Sequence, residues 1–143
     1  MFIGQFEHTI DEKKRLAIPV KFRRSIRDKA VITKGLDGCL FLFSADKWQK
    51  MAQSIGQLPL TKSSARLYAR LILASAQDVD FDKQGRIILP QYLKKYAAIS
   101  KDAFVVGVYD RVEIWDKNRW NKSVEKDEGR IGKAVEELSE VGI

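Results

Sequence analysis

Two short apolar runs, Leu16-Ala17-Ile18 and Ile87-Ile88-Leu89, are each opened by an Arg and closed by a Pro. Each run reads as a buried strand. Pro19 and Pro90 then stand where a first helical residue would, their missing N–H being no loss there. Upstream of each run lies an Asp, Asp11 or Asp82, placed to bond N–H groups two or three residues on and so shape a turn. In the second turn Gly85 supplies positive φ at least cost. The same features recur 71 residues apart: Asp11 falls on Asp82, Arg15 on Arg86, Pro19 on Pro90, Phe22 on Leu93 and Ile26 on Ala97. Further on the offset becomes 72, with Lys34-Gly35 on Val106-Gly107, Phe43 on Trp115 and Trp48 on Trp120. Two copies are too few for a solenoid and suit a domain built from two equivalent halves about a pseudo-two-fold axis.

The pattern between these landmarks predicts the remaining elements. Phe2 to Ile10 alternates imperfectly, as an edge strand would. From Pro19 to Arg27 two helical turns turn Phe22 and Ile26 inward and leave Lys21, Arg23, Arg24 and Arg27 to water. Val31–Lys34 and Cys39–Phe43 form a hairpin through Gly35-Leu36-Asp37-Gly38. Ser44 caps a helix with Trp48, Met51, Ala52 and Ile55 on one stripe. Residues 61–73 predict a second helix, its apolar face made by Leu67 with Leu71 and Tyr68 with Ile72. Ala74 to Asp82 alternates as a strand, with Ser75, Gln77, Val79 and Phe81 on one face and Asp78, Asp80 and Asp82 on the other. The second copy predicts strands near Phe104–Val108 and Arg111–Trp115, a turn at Tyr109-Asp110, and a helix from Asp116 carrying Trp120 and Val124. After Gly129 a stripe of Ile131, Val135 and Leu138 resumes.

Composition sharpens this picture through charge. The 143 residues carry a formal net charge of +7. Residues 1–72 hold 14 Lys/Arg against 6 Asp/Glu, and residues 73–143 hold 12 against 13, so the basic character belongs to the first half. Cys39 is the single cysteine, which excludes an internal disulfide and fits a reducing compartment. No apolar run nears the ~20 residues a bilayer span needs, and the N-terminus lacks a signal-peptide pattern. These features predict a cytoplasmic protein.

Catalytic readings fare poorly. His8 is the one histidine and reads as a strand residue, and Cys39 lies in an apolar run and reads as core. No set of the usual metal ligands or phosphate-cradling glycine loop is present, so neither metal nor cofactor is expected. Asp78, Asp80 and Asp82 could face a divalent cation, but a solvated face is the simpler reading. Trp48, Trp115 and Trp120 stand at matched repeat positions and read as core. The cations are the chemistry that remains. By itself a run such as Lys13-Lys14-Arg15 is as consistent with a solvated face as with a binding site. Its placement on a short turn opening a strand favours binding: Arg can bond guanine O6 and N7, and flanking Lys and Arg can neutralise phosphate. Arg15 and Arg86 have a structural reading as well, each pairing with its own loop Asp, and the two roles are compatible.

The doubled Asp-x-x-Gly-Arg motif with its apolar strand and Pro resembles the bacterial MraZ family, two-copy members of the AbrB/SpoVT-type swapped-hairpin DNA-binding fold. The opening M-F-I-G-Q-F-E-H-T-I-D, the central L-P-L-T and the run Gly35 to Phe41 carry the resemblance over nearly the whole chain. It implies an α+β fold, a pseudo-two-fold swapped-hairpin β-barrel with flanking helices: repeats at 5–48 and 76–120, a helical connector at 49–75 and a helical tail at 121–143. It implies a non-enzymatic transcriptional regulator that binds double-stranded DNA, associates with the nucleoid and assembles as a homo-oligomeric ring. Its target would be direct repeats in the promoter of its own cell-division and cell-wall gene cluster, with repression the expected effect. The resemblance carries DNA binding to Lys13, Arg15 and Arg86, and with them Lys14 and Lys83, with supporting phosphate contacts from Lys21, Arg23 and Arg24. A scaffolding ring and a basic RNA-binding protein are the other readings. Lys14 departs from the family pattern, which has Gly there. A left-handed backbone at Lys costs roughly 1–2 kcal/mol, so either the first turn has another shape or the strain is tolerated.

Overall fold

A computed structural model describes residues 1–142; Ile143, the last residue of the expected tail, lies outside the described residues. The fold is α+β. The first half runs β1 (Phe2–Thr9), β2 (Arg15–Ala17), α1 (Val20–Ile26), β3 (Lys29–Lys34), β4 (Leu40–Ser44), α2 (Ala45–Gly56) and α3 (Ser63–Ser75). The second half repeats the order: β5 (Gln77–Asp80), β6 (Arg86–Ile88), α4 (Gln91–Tyr96), β7 (Asp102–Tyr109), β8 (Val112–Asp116), α5 (Lys117–Glu128) and α6 (Ile131–Leu138). The halves interleave. Six strands form one antiparallel sheet in the order β1-β7-β8-β4-β3-β5, symmetrical about the β8–β4 pair. β1 pairs with β7 of the other half, and β5 pairs reciprocally with β3.

The expected closed barrel is not formed. β1 and β5 lie at opposite ends of the six-stranded sheet, and β2 and β6 pair only with each other as a separate ribbon. Those two strands are too short to bridge the edges. Ile18 N–H still reaches Gly85 O at 3.1 Å and Leu89 N–H reaches Lys14 O at 2.8 Å. The prolines that follow have no N–H to continue a ladder. Pro19 and Pro90 cap α1 and α4 from just outside, one position earlier than the sequence pattern suggests.

One core lies beneath the ribbon and between the halves, where Leu16, Ile18, Phe22, Ile87, Leu89 and Leu93 are all essentially sealed from solvent. Phe22 meets Phe2 and Phe6 edge-on, with centroids 5.6 and 5.4 Å apart. A second cluster gathers Cys39, Phe41, Phe43, Val106 and Trp115, with Trp48 and Trp120 packed against it, so the tryptophans serve the core.

Three local expectations fail. Ser75 belongs to α3 rather than to a strand from Ala74, because its hydroxyl donates back to Leu71 O at 2.6 Å and accepts from Lys34 N at 3.1 Å. It also meets the Thr33 hydroxyl at 2.9 Å, and both residues are buried. Consequently the strand begins at Gln77, and Gln77 is exposed while Val79 is buried. Leu67 stays 63% exposed instead of joining an inward face with Leu71. Ile88, expected within a buried run, is 59% exposed, because a two-stranded ribbon lying on the core can bury only alternate residues.

Candidate nucleic-acid interface

Asp11 and Asp82 build the two turns in the same way. Asp11 Oδ1 accepts from the N–H groups of Lys13 at 3.0 Å and Arg15 at 2.9 Å, and Oδ2 accepts from Arg15 Nε at 2.6 Å. Asp82 Oδ1 accepts from Gln84 N and Arg86 N, both at 2.9 Å, and its Oδ2 from Arg86 Nε at 2.9 Å. Each turn closes with a further bond to the Asp carbonyl, from Lys14 N or Gly85 N, both at 3.0 Å. The N–H of Arg15 or Arg86 is the chief cause that holds each carboxyl below the ordinary aspartate value, with burial opposing it.

Lys14 has φ 62° and Gly85 φ 75°. The two turns therefore share one shape, with Lys14 in the left-handed region that Gly85 occupies in the second, and the strain is tolerated. Gly85 has no such latitude. It is buried, and a Cβ there would run into the guanidinium of Arg23. Arg23 Nε donates to Ile18 O at 2.9 Å, so the side chain is pinned across the second turn rather than turned to water as its helix position suggested.

β2 and β6 run antiparallel, so the two turns open the ribbon from its opposite ends. Their register sets Leu16 opposite Ile87 on the core face, both sealed from solvent. Arg15 opposes Ile88 and Ala17 opposes Arg86 on the outer face. Arg86 also leans toward the other turn, its Nη1 3.7 Å from Asp11 Oδ2. With Nε committed to the Asp, the terminal nitrogens of both guanidinium groups donate no hydrogen bond among the described residues. Lys13 and Lys83 are exposed at the turns, and Lys14 is half-buried. Of the supporting cations, Arg24 is exposed while Lys21 Nζ donates to Ile3 O at 3.3 Å. The structure thus sets Arg15 and Arg86 on one face of the ribbon, with Lys13, Lys14 and Lys83 in the turns that open its strands, and gives Arg23 a bracing position across the second turn. It adds Ile88, which a three-residue apolar run could not single out.

The residues weighed for catalysis are dispersed. Cys39 is buried in the aromatic cluster, its thiol donating to Leu36 O at 3.2 Å and its pKa pushed strongly upward by burial. His8 lies in β1. Asp82 is committed to its own turn, and among the described residues no three His, Cys, Asp or Glu side chains gather as a metal site would require.

The family described as "MraZ protein, putative antitoxin-like" matches the chain twice, over residues 1–71 and 72–138. Proteins named "Transcriptional regulator MraZ" align with it end to end over 143 residues, covering all of both chains. That of Natranaerobius thermophilus is 42% identical, that of Pediococcus pentosaceus 43%, and that of Caldanaerobacter subterraneus subsp. tengcongensis 44%.

Proposed function

Since the chain belongs to the MraZ family, we propose that it is a non-enzymatic transcriptional regulator reading double-stranded DNA with the paired turns. The observation that carries this reading is the outer face of the β2–β6 ribbon, where Arg15 and Arg86 stand diagonally across from each other with terminal nitrogens that donate no hydrogen bond among the described residues. Strands in such a ribbon lie about 4.8 Å apart, and the ~12 Å major groove admits a two-stranded ribbon. Arg15 and Arg86 bond guanine edges, held in position by Asp11 and Asp82. Lys13 and Lys83 neutralise phosphates at the turns with Lys14, and Arg24 extends that contact along α1. Lys21 and Arg23 are already bonded to backbone carbonyls and support the same surface more through bracing than through phosphate.

The crossed pairing of β1 with β7 and β5 with β3 supports the single-chain form of the AbrB/SpoVT-type swapped hairpin, with repeats at 5–48 and 76–120, connector 49–75 and tail 121–143. In this reading the protein works in the cytoplasm at the nucleoid as a homo-oligomeric ring. It represses its own cell-division and cell-wall gene cluster by engaging direct promoter repeats. Several turns acting together would turn weak single contacts into tight binding.

The test is binding to labelled DNA from upstream of its own gene against scrambled DNA of equal length across a salt series. Preference for the upstream fragment that persists as salt rises is expected, and Arg15→Ala should abolish it with the fold intact. Equal binding to both fragments, vanishing together with salt, would reduce the turns to a basic surface. A strongly destabilised Arg15→Ala whose folded fraction binds normally would make Arg15 a structural residue only.

A further inference from the structure

We propose that Ile88 is a base-reading residue, packing on the 5-methyl group of a thymine next to the base that Arg15 bonds, and that it gives the ribbon a direction along DNA. This inference rests on the DNA-binding reading above. Ile88 sits on the outer face of the ribbon, directly across from Arg15, with 59% of its surface exposed. Its counterpart at the other end of the ribbon is Ala17, small, half-buried and across from Arg86. The face that is otherwise built from two equivalent arginines therefore carries a large apolar group at one end only.

On that cationic face Ile88 offers the one large apolar surface, and it can meet only an apolar group on a base edge. In the major groove the only apolar group on a base edge is the thymine methyl. Cross-strand neighbours have Cβ atoms about 5 Å apart, and base pairs step by 3.4 Å. Arg15 and Ile88 thus fall within one or two steps of each other. The flank points the same way. Ile88 borders a shallow depression with Asp78, Asp80 and Pro90, and both carboxylates are exposed. These carboxylates disfavour phosphate on that side, so a contact there is left to the side chain of Ile88 itself. A ribbon reading Arg-plus-methyl at one end and Arg alone at the other distinguishes the two orientations of its site, as repeats in one direction require.

The test is thymine-methyl interference. The upstream fragment is made with sparse replacement of thymine by deoxyuridine, bound and free molecules are separated, and uracil positions are mapped in each. For wild-type protein, uracil at one thymine per repeat, within two base pairs of a guanine, should weaken binding about fourfold. That factor is the ~0.8 kcal/mol of one buried methyl group. Ile88→Ala should bind the all-thymine fragment more weakly by a similar factor and show no sensitivity to uracil there, with its thermal transition unmoved. Wild-type protein indifferent to uracil at every position would overturn the proposal, as would an Ile88→Ala protein that keeps the wild-type pattern or changes only its state of assembly. If uracil has no effect while Arg15→Ala still abolishes the preference for the upstream fragment, the assignment of Ile88 alone falls. If upstream and scrambled DNA bind alike, the DNA reading falls and this inference with it.

Discussion

Gly85→Ala tests the physical account of the turns most directly. The substitution adds one methyl group at a residue with φ 75°, where an L side chain costs about 1–2 kcal/mol. That methyl would also overlap the guanidinium of Arg23, which must leave its bond to Ile18 O. A hydrogen bond from a charged group contributes about 1.5–3 kcal/mol, and because Arg23 is only half-buried, water restores part of it, leaving about 1 kcal/mol lost. The sum is about 2–3 kcal/mol, which for a chain of this size lowers Tm by about 6–10 °C. Melts at one fixed protein concentration are the assay, since assembly would otherwise move the transition. A double-mutant cycle separates the two parts: on an Arg23→Ala background only the backbone part should survive, so Gly85→Ala should cost about 1 kcal/mol less than in wild-type protein. Lys14→Gly is the mirror experiment and should stabilise by about 0.5–1 kcal/mol by relieving the same backbone strain. A Gly85→Ala protein within about 0.5 kcal/mol of wild type, or a cost unchanged by removing Arg23, would refute the reasoning.

Other outcomes follow from single interactions. Ser75→Ala removes the acceptor of Lys34 N–H and one of the two partners of the buried Thr33 hydroxyl, and should lower the urea midpoint by an amount equal to about 1–3 kcal/mol with unchanged m. The carboxyls of Asp11 and Asp82 are held below 3.8 in the folded state. Their contribution is therefore present above that pH and lost as pH falls through the depressed values, so the double variant Asp11→Asn, Asp82→Asn should show a flatter acid limb in melts taken from about pH 5 downward. Cys39 is sealed and its thiol pushed strongly upward, so a thiol reagent should label native protein far more slowly than urea-unfolded protein; rapid native labelling would show the aromatic cluster opening. Lys13→Ala should reduce the slope of log K against log salt by about 0.9 while leaving the choice of DNA sequence unchanged.

Repetition made most of the architecture legible. Asp11 and Asp82, Arg15 and Arg86, Pro19 and Pro90 mark equivalent turns and strands in one dimension, and the structure pairs the two strands antiparallel. One helix cap was legible too, since Ser44 accepts the N–H bond its position suggested, whereas the sequence pattern marks Asp116 only as a helix start and not as the cap it forms. What stayed hidden depends on which half touches which. Apolar periodicity cannot say that β1 pairs with β7 rather than within its own half, nor that β1 and β5 finish as free edges instead of closing a barrel. Three residues are likewise too few to show alternation, so Ile88 could not be told from Ile87. Ser75 illustrates a third limit: a polar residue amid strand-like alternation was held in the helix by a partner, Thr33, far away in sequence.

The charge difference between the halves does not extend to the two turns. Residues 11–15 hold three cations and two carboxylates, and residues 82–86 hold two cations and one, so the turns carry equal net charge. Lys14 adds a cation where the second turn has Gly, but Glu12 stands where the second has Lys83. The surplus of the first half lies instead largely in α1 and its flanks, and there Lys21 and Arg23 are bonded to the backbone carbonyls of Ile3 and Ile18. The more telling asymmetry is in the neighbours of the two arginines. Arg86 lies between its own Asp82 and Asp11 of the opposite turn, whereas Arg15 pairs with Asp11 alone. Two carboxylates restrain a guanidinium and offset its charge more than one does. Arg15 is therefore the freer of the two to reach a base, and Arg15→Ala should weaken specific binding more than Arg86→Ala. Competition against scrambled DNA at constant salt measures the ratio, and equal losses would mean that the cross-turn contact of Arg86 has no bearing on recognition.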